Sequence, residues 1–209
     1  PSMRDTDRDG VDDETQAQKG MNPTEKLLLE DSDNDGLTDG EEIQGTKITV
    51  NTERRTVTSD PRNPDTDGDG LEDDEERRHR TDPRDTDTDR DNISDFHEVE
   101  FYNTDPSKSD TDGDGLNDNV ELIGFEVTVK GPNGKEMKRM VTSDPLDKDT
   151  DDDGLSDDTE MNDKTDPRLA DTDVDGISDP REKETGSNPN WADTDGDGLA
   201  DGIEQRMET

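Results

Sequence analysis

The sequence predicts an irregular, elongated array of repeats: mostly loops, a short helix after each loop, two inserted β-hairpins and no conventional hydrophobic core. Three observations predict this class. A twelve-residue acidic pattern recurs eight times, Asp-Pro or Asn-Pro turns punctuate the intervals, and the composition cannot supply an oily interior. The 209 residues carry a formal charge of −39, with 20% hydrophobic and 2% aromatic residues. Low hydrophobicity with high net charge cannot offset the entropy of ordering a chain. Such a chain is either unfolded or held by something other than a core. Repetition at a fixed period favours the second, a stack in which each unit leans mainly on its neighbours.

The pattern is clearest over residues 110–121, where carboxylates occupy positions 1, 3, 5, 9 and 12, with glycine at 6 and an aliphatic residue at 7. Each residue type has a reason to stand where it does. Calcium takes six to eight hard oxygens at about 2.3–2.6 Å, and alternate Asp residues in a tight turn converge on one point. Gly115 permits the positive φ that aims the Leu116 carbonyl inward. Glu121 is long enough to close the shell with both oxygens, and the Leu116 side chain is left free to pack. The reading is a calcium loop.

One continuous array over 1–209 holds eight such loops, at 5–16, 31–42, 65–76, 87–98, 110–121, 149–160, 171–182 and 193–204. The candidate metal ligands begin with Asp5, Asp7, Asp9, Val11 and Asp13 in the first loop, then Asp31, Asp33, Asp35, Leu37, Asp39 and Glu42 in the second. Asp65, Asp67, Asp69, Leu71, Asp73 and Glu76 form the third set, and Asp87, Asp89, Asp91, Ile93, Asp95 and Glu98 the fourth. Asp110, Asp112, Asp114, Leu116, Asp118 and Glu121 come next, then Asp149, Asp151, Asp153, Leu155, Asp157 and Glu160. The last two sets are Asp171, Asp173, Asp175, Ile177, Asp179 and Glu182, and Asp193, Asp195, Asp197, Leu199, Asp201 and Glu204. Six copies fit the full pattern. The first has Gln16 where Glu should close the shell, which predicts weaker binding, and the fourth has Asn92 for glycine, tolerable because Asn accepts the left-handed region.

From Asp60 onward, the Asp or Asn before each punctuating proline lies five residues ahead of the next loop's first Asp. Proline fixes φ and extends the residue before it, so each marker is a turn that stops the preceding helix. Loop-to-loop spacing is 22 or 23 residues in four of the seven steps. Helices are expected over Asp73–Arg80, Asp95–Tyr102 and Asp157–Asp163, with Ser94, Ser156 and Ser178 as N-caps. They are too short to stand alone. The copies at 31–42 and 110–121 are each trailed by an insertion, 45–58 and 124–142, whose alternating β-branched residues around turn signals read as β-hairpins. These are read as surface elaborations that cap a metal site, or as an edge for a partner strand.

The charge fits multiple ions. Eight divalent cations would bring −39 to −23, and sixteen to −7. There are no cysteines, so disulfides play no part, and no apolar run is long enough to span a membrane. The chain reads as a fragment of a longer protein. A catalytic role is not expected: His79 and His97 lie on short charged helices, Trp191 reads as packing on the preceding turn, and carboxylates bound to calcium are not free to act as acids. Arg77-Arg78-His79-Arg80 reads as local charge balance on a helix. The acidic surface excludes nucleic acid, whose phosphates it repels. A calcium sensor of the EF-hand type needs longer paired helices, whereas ten residues interrupted by Pro83 separate Glu76 from Asp87. An unfolded acidic buffer would not need the strict register.

The Asp-x-Asp-x-Asp-Gly-Leu-x-Asp loops with recurring Thr-Asp-Pro turns resemble thrombospondin type 3 repeats in their cysteine-free bacterial form. The units Asp31–Pro61 and Asp110–Pro145 also resemble the calcium-binding segment of binary-toxin components of the anthrax protective antigen type. That resemblance implies a paired site in which Asp33, Asp35 and Glu42, and Asp112, Asp114 and Glu121, each touch two ions, with Asp65 and Asp147 as further ligands. The family resemblance implies about eight or more calcium ions and a calcium-rigidified stalk or spacer of an extracellular or cell-surface, adhesin-like protein. The alternative is the calcium-binding segment of a secreted toxin or hydrolase. Expected partners are flanking domains of the same longer protein and a host or neighbouring-cell surface protein, with the chain itself a monomer.

Overall fold

The computed structural model of the protein describes residues 4–6, 8, 11–20, 22 and 30–207. The chain divides into two compact units, Pro1–Ser109 and Asp110–Thr209. In the first lie α1 (Asp13–Gln18), α2 (Asp39–Gln44), β1 (Thr46–Val50), β2 (Glu53–Val57), α3 (Asp73–His79) and α4 (Asp95–His97), which runs on into a π-helical turn, Glu98–Tyr102. In the second lie α5 (Asp118–Ile123), β3 (Phe125–Lys130), β4 (Glu136–Val141), α6 (Asp157–Asp163), α7 (Asp179–Thr185) and α8 (Asp201–Met207). The irregular array of loops, short helices and two hairpins is what the sequence predicts.

Among the described residues every helix begins at loop position 9, so the position-9 Asp is the first helical residue and sits at the positive end of the helix dipole. The residue before it is extended and caps the turn. Ser94 accepts the His97 N–H and Ser156 the Thr159 N–H, as expected, while Thr38 and Glu41 form a reciprocal capping box. Ser178 stands at the cap of α7 without such a bond, and Pro180 stands in the first turn.

The exit from each helix decides the path of the chain. After α3, α4 and α6 the chain turns through a left-handed residue, Arg80, Asn103 or Lys164, and runs into the Thr-Asp-Pro turn. After α2 and α5 it passes through Gly45 (φ 76°, ψ 170°) and Gly124 (φ 81°, ψ −178°), a region open only to glycine, and enters a hairpin. A Cβ at either glycine would lie 2.2 or 2.1 Å from the carbonyl of Val57 or Val141.

β1 and β2 pair antiparallel from Thr46↔Val57 to Val50↔Glu53, and β3 and β4 from Phe125↔Val141 to Lys130↔Glu136. Their inner faces supply the largest apolar clusters among the described residues: Ile48, Val50 and Val57 in one, and Phe125, Val127, Val129 and Val141 with Met161 in the other. The position-7 side chains Val11, Leu37, Leu71, Ile93, Leu116 and Ile177 are buried, whereas Leu155 is half-buried and Leu199 exposed.

Position 4 is left-handed in all eight loops, a feature that sequence reasoning misses because it assigns positive φ to position 6 alone. Arg8, Asn34, Gly68, Arg90, Gly113, Asp152, Val174 and Gly196 all have φ between 62° and 80°. Val174 is the strained member, a β-branched residue at φ 62° that is 75% exposed. Replacing Val174 by Gly should therefore stabilise the chain by about 1 kcal/mol, the relief of strain exceeding the added chain entropy. Gly124→Ala should destabilise it by more than about 1 kcal/mol. Thermal unfolding of both variants checks the opposite signs.

Candidate metal centres

The loops are closed by their own hydrogen bonds, which in the loop at 65–76 take six of the eight oxygens of the aspartates at positions 1, 3, 5 and 9. The position-9 Asp takes both bonds from position 2: the N–H of Thr66 donates to Asp73 Oδ1 at 2.9 Å and its hydroxyl to Oδ2 at 2.7 Å. The same pair joins Thr88 to Asp95, Thr111 to Asp118, Thr150 to Asp157, Thr172 to Asp179 and Thr194 to Asp201. The first two loops use Thr6–Asp13 and Ser32–Asp39. Position 1 accepts from the amides of positions 4 and 6, as Asp65 does from Gly68 at 2.7 Å and Gly70 at 3.2 Å, or of positions 5 and 6, as Asp149 and Asp171 do. Positions 3 and 5 each spend Oδ1 on the amide two residues on, as in Asp67–Asp69 and Asp69–Leu71.

The other oxygens are left pointing inward. Among the described residues, Oδ2 of Asp33, Asp67, Asp89, Asp112, Asp151 and Asp173 at position 3 is buried without a hydrogen-bond donor. So is Oε2 of Glu42, Glu76, Glu98, Glu121, Glu160 and Glu182 at position 12, whose side chains are no more than 2% exposed. Carboxylate oxygens of Asp31, Asp33 and Asp35 lie within 4.8 Å of one another, as do those of Asp65, Asp67 and Asp69, of Asp87, Asp89 and Asp91, and of Asp110, Asp112 and Asp114. A buried carboxylate with no donor is costly unless a cation supplies the charge. All-oxygen donor sets of this kind suit a hard divalent ion.

A second kind of cluster joins consecutive loops. Asp35 and Glu42 of the second loop converge with Asp73, position 9 of the third, again within 4.8 Å and all buried. Asp73 completes this cluster, while Asp65 accepts the Gly68 amide within its own loop and Asp147 is exposed with its carboxylate 3.5 Å from the Asp149 amide. In five units the turn residue ahead of Asp-Pro holds the other oxygen of the closing glutamate, whereas both oxygens of Glu182 lack a donor. Ser59 donates to Glu42 at 2.9 Å, Ser143 to Glu121 at 2.8 Å and Thr104 to Glu98 at 3.0 Å, with Thr81 and Thr165 at 3.3 Å from Glu76 and Glu160. Sequence reasoning reads these residues as parts of a turn only; their spacing from the glutamate, 5 or 6 residues without a hairpin, is the available signal. The Asp N–H one residue on donates to the next loop's position-2 hydroxyl, as Asp82 does to Thr88 at 2.7 Å.

Of the remaining expectations, Gln16 is fully buried, and Asp7 and Asp9 lie outside the described residues. His97 stacks beside Phe101 and is exposed, and Arg77 and Arg78 pair with Glu41 and Asp74. Trp191 belongs to the turn before the last loop, but its ring also lies under Lys130 of the second hairpin, 4.9 Å from Nζ, which the sequence does not indicate.

Burial, reinforced by neighbouring carboxylates, pushes the closing glutamates far above their ordinary value of 4.5: Glu76 to about 10, Glu98, Glu160 and Glu182 to about 9, Glu42 and Glu121 to about 8. Without a cation the fold therefore favours these groups as neutral acids. That stabilisation is fully present below pH 4.5 and is lost as pH rises through about 8 to 10. In chelator the protein should thus melt at a higher temperature at pH 5 than at pH 8, and its calcium affinity should rise over the same interval as protons leave. Melting curves and calcium titrations at the two pH values check both signs.

The bacterial TSP3 repeat family model matches residues 31–45, 65–86, 110–123, 149–168, 171–192 and 193–209. No curated protein and no solved structure matches the chain. The matched segments contain six of the eight loops; the two outside them are those with Gln16 and Asn92 in place of the pattern's residues. With the matches covering more than half of its length, the chain belongs to the bacterial TSP3 repeat family.

Proposed function

We propose that this chain is a calcium-binding repeat region, a stalk or spacer that stiffens when its loops fill and holds other domains of an extracellular or cell-surface protein apart. The observation that carries this reading is the row of buried, donor-free carboxylate oxygens at positions 3 and 12. A chain with 63 acidic residues and 24 basic ones has no side-chain cations to spare for them, and the family supports calcium as the ion. Loop carboxylates a few ångströms apart repel by roughly 1–4 kcal/mol per pair, and a divalent ion converts that repulsion into coordination. The loop geometry supports about one ion per loop, and the Asp35–Glu42–Asp73 cluster supports a second ion shared between adjacent loops.

No catalytic role is proposed. Among the described residues no helix is long and apolar enough to cross a membrane. Extracellular calcium modules bind at about 10⁻⁴–10⁻³ M, so the stalk would be ordered outside cells and loose in a low-calcium cytosol. Its partners would be its flanking domains and, in an adhesin-like protein, a surface protein of a host or neighbouring cell.

Small-angle scattering through a calcium titration, with ions counted by native mass spectrometry, tests the proposal. The particle should become stiffer as at least eight ions bind, loop 5–16 should fill last because Gln16 offers one neutral oxygen, and Gln16→Glu should bring its filling forward. A profile unchanged by calcium, or early filling of that loop in the parent chain, would contradict the reading.

A further inference from the structure

The two units share a set of long-range ties that start from the hairpins and skip a loop. In the first unit, Arg55 of β2 lies 3.2 Å from Asp82 and donates to the Thr88 carbonyl at 3.4 Å. In the second, Arg139 of β4 lies 2.8 Å from Asp166 and donates to the Thr172 carbonyl at 3.3 Å. Both pairs span 33 residues from arginine to threonine. Return ties run from Arg84 to the Thr58 carbonyl and from Arg168 to the Thr142 carbonyl, each at 2.8 Å.

Thr88 and Thr172, where these ties land, are the buried position-2 residues that close the loops starting at Asp87 and Asp171. Those loops lie two beyond the ones that lead into the hairpins. The hairpin tips reach further still. Asn51 donates its N–H to the Ser107 carbonyl at 2.7 Å and accepts the Ser109 N–H at 3.2 Å. Lys130 donates to the Asn190 carbonyl at 2.7 Å, accepts the Ala192 N–H at 3.1 Å and covers Trp191.

An isolated two-stranded hairpin is marginal in water. Each of these is fastened at its base to the helix of one loop, through Gly45 or Gly124, and at its sides and tip to segments that open later loops. Its own folding is then favoured by order at both ends, which is the physical requirement for coupling two sites through an element that both bias. A stack wired only between neighbours lacks this route.

We propose that each hairpin is a cooperativity strut, coupling the loop before it to the second loop downstream and to the turn beyond, so that loops within a unit order and release cations together. The proposal rests on the calcium reading above. It refines the neighbour-to-neighbour expectation drawn from the repeat period.

Amide hydrogen exchange of the whole chain in calcium tests it. Glu121→Gln weakens the loop at 110–121. In the parent background it should speed exchange over 171–182 and 190–201 by about 5–150-fold, the usual range of coupling between sites. A strut variant, Arg139→Gln with Lys130→Pro, removes the side tie and the tip donor without touching a loop carboxylate. In that background the same Glu121→Gln change should move exchange at 171–201 by less than about 2-fold while still loosening 110–121 and its neighbour.

If the double change itself fails to fold, Arg139→Gln alone should give an intermediate effect, and Glu42→Gln with and without Arg55→Gln repeats the test in the first unit. No response at 171–201 in the parent chain, or equal transmission with the strut removed, would overturn the proposal. Exchange indifferent to calcium in every chain would remove the calcium reading and this inference with it.

Discussion

The structure depends on buried carboxylates at loop positions 3 and 12 that keep at least one oxygen without a hydrogen-bond donor. In the loop at 65–76 the hydrogen bonds that shape the backbone use Oδ1 of positions 3 and 5 and both oxygens of position 1, and the other described loops follow closely. What is left over is a set of inward-facing oxygens closed from below by a glutamate on the first turn of the helix. In a soluble domain the same volume would be filled by leucine and valine. Here it is filled by charge, and a buried charge of one sign is stable only with its counter-ion. On the proposed function a bound cation would take the place of a core, with the apolar clusters under the two hairpins as accessories to it.

The scaffold that presents these oxygens is made by small hydroxyl residues. Threonine or serine at position 2 binds the position-9 carboxylate with two bonds and accepts the amide of the Asp-Pro turn before it. The turn's first residue holds the previous loop's closing glutamate. A circuit therefore runs from one glutamate through the turn to the next loop and back to the shared cluster at Asp35, Glu42 and Asp73. The residue at position 10 of the next loop also packs on the glycine at position 6: a Cβ on Gly70 would lie 3.1 Å from the Phe96 ring. Glycine there serves the neighbour as well as its own turn.

Much of this is legible in the sequence, because metal loops impose residue types at fixed spacing within twelve positions. The acidic triads, the helix starts, the hairpins and two of the three expected serine caps can all be read from local rules. The illegible parts depend on a third dimension. The role of Asp73 in the preceding loop's cluster requires knowing that consecutive loops stack with position 9 over position 12. The left-handed backbone at position 4 is hidden because Arg8, Arg90 and Val174 do not advertise it. The ties of Arg55, Arg139 and Lys130 cross tens of residues, so no window reveals them. Trp191, read as packing on its own turn, is held in addition by a hairpin tip some sixty residues earlier in the chain.

Bound cation standing in for an apolar core is the claim on which the fold and the function both rest. Circular dichroism of thermal unfolding at neutral pH, recorded on one sample in millimolar calcium and again after chelation, tests it most directly. A cooperative transition in calcium that falls steeply or vanishes once the metal is removed is the predicted result. The same melting temperature in both conditions would contradict it.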